Sequence, residues 1–219
     1  MVVYTAITAG FDLLREPAPA ILDPAIQFRA FLDSRRRSRV WRARPACSVW
    51  PDPRLNAKYH KVLAHLCLPR EAVSLWIDGN IEICPPVSLA ALADRYLRGA
   101  DMAVFRHRQR TCIYQEAIYC LHQRLDKPAV IRRQVFRYTR EGFPANHGLA
   151  ECSVLLRRHT PAVREFNEFW WREIQAGSIR DQISFPYVAW KTGIKINYFP
   201  GTVRDGTPFL RRPHRPAES

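Results

Sequence analysis

The length and composition of the chain are those of one ordinary globular domain. It has 219 residues, of which 47% are hydrophobic, so it can bury one sizeable core but is short for two full domains. No stretch approaches the roughly 20 consecutive apolar residues of a membrane-spanning helix. The first residues resemble a strand and carry no basic segment, so we expect no secretion signal and a cytosolic location.

The formal net charge of +14 is the one unusual quantity, and it predicts an anionic partner. Nucleic acid, an anionic membrane and a sugar nucleotide all qualify. The arginines concentrate in residues 35–44 and again in residues 211–215. The alternative interpretation, solvated loops in an arginine-rich protein, stays open for both segments.

The six cysteines are scattered along the chain, with no Cys-x-x-Cys pair, and several lie inside apolar runs. Free cysteine behaves as a small buried hydrophobe, and this use is typical of a reducing compartment. We therefore expect free thiols and no zinc site.

The hydrophobic pattern predicts strands that alternate with helices. Residues 17–54 are rich in proline and arginine, so we expect loops there, with one short helix near 26–33. The predicted strands are 2–8, 73–77, 81–83, 102–105, 152–156 and 195–199. The predicted helices are 55–68, 87–98, 112–125, 128–141, one that begins at Thr160-Pro161 and ends at Gly177, and one that follows Ser178. This alternation predicts a single α/β domain over residues 1–219, with a mixed, mainly parallel central sheet flanked by helices.

The strongest candidate site follows the apolar strand 73–77. Asp78 stands where that strand ends, which is where α/β folds place ligands. Asn80 lies two residues on, so both side chains can point to one side of an extended backbone. Carboxylate and amide oxygens bind divalent cations, and Gly79 between them leaves room for a diphosphate. The alternative is a plain turn or hairpin, because Asp-Gly is a favoured turn dipeptide.

Several sequence blocks, in order along nearly the whole chain, resemble a glycosyltransferase-like family. This family includes plant mucilage-related and TOD-type proteins and many bacterial proteins. The blocks are 3–10 (VYTAITAG), 58–63 (KYHKVL), 74–81 (SLWIDGNI), 107–117 with His107, Arg110 and Glu116, 141–151 (EGFPANHGLAE) and 180–185 (RDQISF). The family is in turn similar to retaining, glycogenin-like glycosyltransferases of the GT-A fold.

The resemblance implies a divalent metal, Mn²⁺ or Mg²⁺, and a nucleoside-diphosphate sugar donor, with a UDP-sugar as the expected one. The Asp-x-Asp metal motif of the glycogenin-like enzymes would fall on Asp78 and Asn80, so an amide stands where those enzymes have a second carboxylate. A C-terminal histidine completes the metal ligands in those enzymes, and His214 is the matching candidate. The alternative for His214 is a solvated residue in a basic tail.

The resemblance also places the sugar and the nucleotide. Asp181 and Gln182 match the Asp-Gln pair beside the donor sugar. Glu151, at the start of the strand 152–156, is a candidate for binding sugar hydroxyls, and its alternative is a solvated acid. Asp181 has a structural alternative, because Ser178-x-x-Asp181 is a capping-box pattern that would make it a helix N3 acid. The other candidates for nucleotide and diphosphate binding are Thr5, Ala6, Thr8, Ala9, Gly10, Lys58, Lys61, Asp78, Gly79, Asn80 and Arg110. For both lysines the alternative is the wet face of an amphipathic helix.

The sequence thus favours a glycosyltransferase of the hexosyltransferase type, retaining if the kinship holds, that acts in glycan or surface-polysaccharide synthesis. Residues 1–105 would supply the nucleotide-binding half, and residues 106–219 the half for donor sugar and acceptor. A glycan, a lipid-linked or a protein acceptor is expected, with peripheral contact to an anionic membrane through basic segments. Two alternatives stay open: a basic nucleic-acid-binding protein, which no recognisable motif favours, and an inactive relative that binds sugar nucleotides without transferring the sugar.

Overall fold

A computed structural model describes residues 1–34, 36–206 and 208–216; Arg35, in the arginine-rich segment, lies outside the described residues. Seven strands form the main sheet in the order β3-β2-β1-β4-β7-β6-β8, and β5 and β9 form a separate two-stranded sheet. Their bounds are β1 Val2–Ile7, β2 Gln27–Leu32, β3 Arg42–Pro45, β4 Val73–Ile77, β5 Ile81–Ile83, β6 Met102–Arg106, β7 Ala150–Arg158, β8 Ile196–Phe199 and β9 Phe209–Arg211. Strand β7 is antiparallel to both of its neighbours, and the other pairs of the main sheet are parallel.

In the described part of the chain, seven α-helices flank the sheet: α1 Pro53–Val62, α2 Ala64–Cys67, α3 Leu89–Tyr96, α4 Ile113–His122, α5 Pro128–Arg140, α6 Pro161–Ala176 and α7 Asp181–Thr192. Local signals place the ends of α6: the Thr160 side chain accepts from the Val163 amide, Pro161 is the first helical residue, and Gly177 follows the last. The mixed, mainly parallel sheet with flanking helices confirms the predicted fold class.

Two apolar cores lie on the two faces of the main sheet. Side chains alternate along β1, so Tyr4 faces the larger core with α1 and α4 to α7, and Val3 faces the smaller core with α3. Every residue of β1 is buried, which is typical of a central parallel strand. Because β1 and β4 are adjacent and parallel, their carboxyl ends meet at one edge of the sheet, and the cleft described below lies there.

The short helix predicted near 26–33 is wrong. Residues Gln27–Leu32 form β2, which pairs in parallel with β1, and β3 in turn pairs with β2 as an exposed edge strand. Phe28, Ala30 and Leu32 are every second residue of the segment, and all three pack in the smaller core. This is the periodicity of a strand, and β1 supplies the hydrogen bonds that stabilise it.

The helix predicted over 55–68 is interrupted at Leu63, which lies outside the helical region and separates α1 from α2. The C-terminal residues also form structure that the sequence did not predict: β9 returns to pair with β5, directly after Asn80. Across the described residues, we find no helix with the length and hydrophobicity needed to cross a bilayer. All six cysteines are free thiols, as expected.

Candidate active site

A cleft of about 540 Å³ opens at the carboxyl ends of β1 and β4. Its basic lining residues outnumber the acidic ones two to one. The basic residues are Arg54, Lys58, Lys61, Arg108, Arg110, Arg180, Arg204 and Arg211, and the acids are Asp12, Asp78, Glu151 and Asp181. A concave surface with an excess of positive charge attracts anions, and its shape focuses the electrostatic field within the cleft.

Asp78 lines the cleft where β4 ends, in a turn closed by the hydrogen bond from the Ile81 amide to the Asp78 carbonyl, 2.9 Å. The turn and the site are therefore the same feature, although it is no hairpin, since β5 pairs with β9. Oδ1 of Asp78 accepts from the Trp76 indole, 2.7 Å, and from the Lys61 ammonium, 3.1 Å. The side chain remains 37% exposed, so it is available to a ligand in the cleft.

Asn80 and His214 meet beside Asp78. The Asn80 amide nitrogen donates to the Arg212 carbonyl, 3.1 Å, and lies 3.4 Å from Nε2 of His214. Asn80 is buried in the turn, so the expectation of an extended backbone through Asp78 and Asn80 is wrong. His214 is also no freely solvated tail residue, because its imidazole Nδ1 lies 2.7 Å from Oδ2 of Asp12.

Asp12 fastens the C-terminal segment to the turn that follows β1. It is 3% exposed, and its Oδ1 accepts from the Arg215 amide, 3.0 Å, while Oδ2 contacts His214. When Nδ1 donates to this carboxylate, the lone pair of His214 is on Nε2, the nitrogen that faces Asn80. Asp12 is a site residue that the sequence did not predict, and its one signal is its place in the turn after the first strand.

The donor set of Asp78, Asn80 and His214 fits a divalent cation that accepts both oxygen and imidazole nitrogen. The amide nitrogen of Asn80 faces His214, so ligation through the amide oxygen requires this side chain to turn over. Within the described residues no three Asp, Glu, His or Cys side chains converge as a ligand group. A cation held here would therefore complete its coordination with the amide and with oxygens of a bound phosphate.

Lys58 and Lys61 are not the wet face of α1. Their ammonium groups lie 3.0 and 2.8 Å from Oδ2 of Asp181, and their side chains are 19% and 6% exposed. Burial alone would raise the pKa of Asp181, but the two ammonium groups outweigh it and the pKa lies below its usual range. Lys61 contacts Asp78 as well, so one cation joins the two carboxylates of the cleft.

The capping-box alternative for Asp181 is wrong. Asp181 is the first residue of α7, and Arg180 precedes it as the cap position. The Ser178 hydroxyl instead accepts from the Arg180 amide, 3.1 Å, and donates to Asp126, 2.7 Å. The Asp181 carboxylate therefore does not act as the N3 acid of a capping box, and it contacts Lys58 and Lys61 instead.

Gln182 and Glu151 line the cleft next to Asp181. The Gln182 amide donates to the Ala150 carbonyl, 3.1 Å, which ties α7 to β7. Glu151 is the second residue of β7 and is 8% exposed, so it is not a solvated acid, and burial raises its pKa. The pairing of β6 and β7 shifts register between Val104 and Phe105, and the bulge lies where β7 lines the cleft.

Arg110 lines the cleft and is held by a buried carboxylate. Its Nε donates to Glu116, 2.6 Å, and Glu116 is fully buried and also faces Arg180 at 3.9 Å. One carboxylate therefore orients two guanidinium groups at the cleft. The roles of Glu116 and Arg180 were not predictable from the sequence, although both residues lie in blocks that resemble the family.

The predicted nucleotide residues divide into two groups. Ala6, Thr8 and Ala9 line the cleft, but Thr5 and Gly10 do not. Thr5 is 2% exposed and precedes the carboxyl end of β1 by two residues, so its side chain is buried within the fold.

Gly79 lines the cleft, but contacts inside the protein also require a glycine there. A Cβ at this position would lie 3.1 Å from Cγ1 of Ile7 and 3.2 Å from Cβ of Asp12. The glycine lets the Asp78 turn approach the end of β1, so room for a diphosphate is not its only role.

The fold and the cleft define the class: an α/β protein that holds a carboxylate, an amide and an imidazole at a basic cleft beside the central strands. Residues 30–206 match the family described as "TOD1/MUCI70, glycosyltransferase-like domain", and the chain belongs to this family. The family resemblance noted from the sequence blocks is therefore confirmed.

Two relatives from Arabidopsis thaliana illustrate the family. The chain is 32% identical over 178 residues to "Probable hexosyltransferase MUCI70", a match that covers 76% of this chain and 30% of that protein. It is 23% identical over 150 residues to "Alkaline ceramidase TOD1", which covers 64% of this chain and 32% of that protein. The chain thus spans about a third of the length of these curated relatives.

Among solved structures, the chain is similar to the apo form of mouse xyloside xylosyltransferase 1, with a TM-score of 0.49 and 11% identity. That match covers 90% of this chain and 84% of the other. It is also similar to the galactosyltransferase LgtC in complex with donor and acceptor sugar analogues, with a TM-score of 0.47 and 11% identity. Here 90% of this chain and 73% of the other are covered.

Proposed function

We propose that this protein is a glycosyltransferase that binds a nucleoside-diphosphate sugar in the cleft and transfers the sugar to an acceptor hydroxyl. The observation that carries the proposal is the meeting of Asp78, Asn80 and His214 at the rim of a basic cleft, in a chain of a glycosyltransferase-like family. The identity of the donor as a UDP-sugar and the retaining outcome are parts of the proposal.

The cleft supports this proposal electrostatically. Transfer of a sugar from a nucleoside diphosphate builds negative charge on the departing diphosphate, and preorganised cations stabilise such charge. Arg110 and Arg180 are held by the buried Glu116, so they meet the charge without first being reoriented. Guanidinium groups suit phosphate because they donate two parallel hydrogen bonds.

Asp78, Asn80 and His214 would hold the divalent cation, Mn²⁺ or Mg²⁺. When bound, such a cation neutralises charge on the diphosphate oxygens as a Lewis acid. The chain's own part is positioning: Lys61 and Trp76 hold Oδ1 of Asp78, and Asp12 orients His214. Carboxylates and imidazoles held in this way are tuned by such supporting groups.

The sugar would lie between the Asp78 turn and the start of α7. Asp181 remains ionised because two lysines hold it, and so it can accept hydrogen bonds from sugar hydroxyls. Gln182 and Glu151 also line the cleft and offer further hydrogen-bond partners to the sugar. In this arrangement residues 1–105 supply the nucleotide side and residues 106–219 the sugar side.

Isothermal titration of the protein with UDP and Mn²⁺ tests the proposal. We expect binding that requires the metal and that is lost in Asp78→Ala. The matched control is Asp94→Ala, an exposed aspartate on α3 outside the cleft, which should bind as wild type does. Absence of binding by the wild-type protein, or unchanged binding by Asp78→Ala, contradicts the proposal.

Two further measurements separate the alternatives. Release of free sugar from a UDP-sugar panel distinguishes an active enzyme from an inactive relative, which would bind UDP and leave the donor intact. A salt-dependent shift of random oligonucleotides that persists in Asp78→Ala would favour a nucleic-acid-binding protein. The ceramidase name of one relative concerns a lipid amide, and the basic lining of this cleft favours an anionic ligand instead. The cytosolic location stays a prediction.

A further inference from the structure

The outer face of α5 is basic and apolar at once. The helix carries four arginines and no acidic residue, and its solvent face contains Arg132, Arg133 and Arg140. Phe136 lies at the centre of this face and is 64% exposed. It follows Arg132 by four residues and precedes Arg140 by four, so the arginines flank the ring along one side of the helix.

The exposed arginines of this face form no ion pair among the described residues, and Arg133 donates only to the Ala176 carbonyl, 3.3 Å. The ion pairs of α5 among the described residues all involve Arg137, which contacts Glu141 and Glu173. Glu141, just past the end of the helix, is itself engaged by Lys191 and by the Tyr187 hydroxyl, which help to lower its pKa to about 2. No described carboxylate therefore neutralises the exposed arginines.

A groove of about 420 Å³ continues this face between α5 and α6. Its lining includes Arg133, Arg137 and Arg172, and its one acid, Glu173, already accepts from Arg137 and from the Tyr138 hydroxyl. The groove is large enough for a phosphate-bearing headgroup, and its charge suits one.

We propose that the α5 face docks on an anionic lipid bilayer, with Phe136 in the interfacial region and the arginines of α5 and the groove at the lipid phosphates. A helix with basic residues around an exposed aromatic ring is typical of interfacial binding, because the ring leaves water while the guanidinium groups stay at the headgroups. Lipid phosphates would supply the acidic partners that the exposed arginines of α5 do not have among the described residues.

The docked face lies next to the cleft. The groove ends at Ala176 and Gly177, and the same connection between α6 and α7 places Ile179 and Arg180 in the cleft. Docking through α5 would therefore bring the cleft close to the bilayer. Membrane contact through the arginine-rich segments 35–44 and 211–215 stays a prediction beside this one.

The experiment is flotation with vesicles of phosphatidylcholine, alone or with phosphatidylglycerol added. We expect the wild-type protein to float only with the anionic vesicles. The triple variant Arg132→Ser/Arg133→Ser/Arg140→Ser should lower the partition coefficient on the order of 100-fold, since each basic residue at the surface contributes roughly fivefold. Phe136→Ser should lower it roughly tenfold at unchanged charge.

Matched controls distinguish vesicle binding through the α5 face from nonspecific binding caused by the net positive charge of the protein. Arg36→Ser/Arg37→Ser/Arg39→Ser removes the same charge elsewhere, and Val49→Ser removes another exposed apolar side chain; both should float as wild type does. All variants should keep the thermal stabilisation by UDP and Mn²⁺ that wild type has. The proposal is overturned if wild type ignores anionic vesicles, if the control triple loses as much binding as the α5 triple, or if the α5 face binds RNA oligonucleotides in place of vesicles.

Discussion

Replacing Lys61 by Met tests whether the cleft depends on a buried charge cluster. The substitution keeps most of the aliphatic stem and removes the ammonium group that contacts Asp181 at 2.8 Å and Asp78 at 3.1 Å. Asp181 is 5% exposed, so its carboxylate cannot recover this contact from water. Removing one partner of a buried pair costs roughly 3–5 kcal/mol.

We expect about 3 kcal/mol, the lower end of that range, because Lys58 still contacts Asp181 at 3.0 Å. With an m-value of roughly 2–3 kcal/mol/M, the urea midpoint should fall by about 1 M. The control is Arg54→Met, which breaks an exposed pair whose side chains are 55% and 34% accessible. An exposed pair contributes less than about 1 kcal/mol.

The dependence on pH gives a second check. Asp181 has a folded-state pKa below its ordinary value of 3.8, so the stability it provides is complete above that pH and is lost as the pH falls through the folded pKa. The loss of unfolding free energy caused by Lys61→Met should therefore be constant above pH 3.8 and become smaller below it. A deficit no larger than that of Arg54→Met, at any pH, would refute the buried cluster.

Three further predictions concern the same cleft. Gly79→Ala should destabilise by about 1–2 kcal/mol in urea unfolding, because its Cβ would press on Ile7 and Asp12; an unchanged midpoint contradicts this. Glu151→Gln should raise Tm at pH 7 and leave it unchanged at acid pH. The folded-state pKa of Glu151 is raised, so in the wild-type protein this carboxyl group lowers the stability of the fold as the pH rises through that pKa. A Tm of the variant below that of wild type at pH 7 contradicts the prediction. Asp12→Ala should weaken Mn²⁺ binding at least tenfold in titration, and should add nothing in a His214→Ala background if it acts through the imidazole.

Strong local patterns made much of the fold predictable. The predicted strand 73–77 has the observed bounds of β4, because a continuous run of apolar residues identifies a buried parallel strand without knowledge of its neighbours. The helix that begins after Thr160 was equally clear, since its cap, its first proline and its terminal glycine are all local signals. Asp78 was identifiable for the same reason: it directly follows the strand.

Strands that depend on distant partners were missed. Residues Gln27–Leu32 alternate over too short a stretch to distinguish a strand from a helix, and they become a strand because β1 offers an open edge. The capping box after Ser178 failed in a similar way, since Asp126, 52 residues away, takes the hydroxyl that the local pattern assigned to capping. In both cases a long-range contact outweighed a weak local preference.

The sequence alone determined the alternation of strands and helices, the aspartate at the end of β4 and the family to which the chain belongs. Only the tertiary structure decided which side chains share the cleft. Asp12 and His214 are 202 positions apart and touch, and Lys61 reaches both Asp78 and Asp181. A local pattern reports which face of a helix or strand is buried, whereas ion pairs and hydrogen bonds between elements exist only once packing of the apolar faces has brought those elements together.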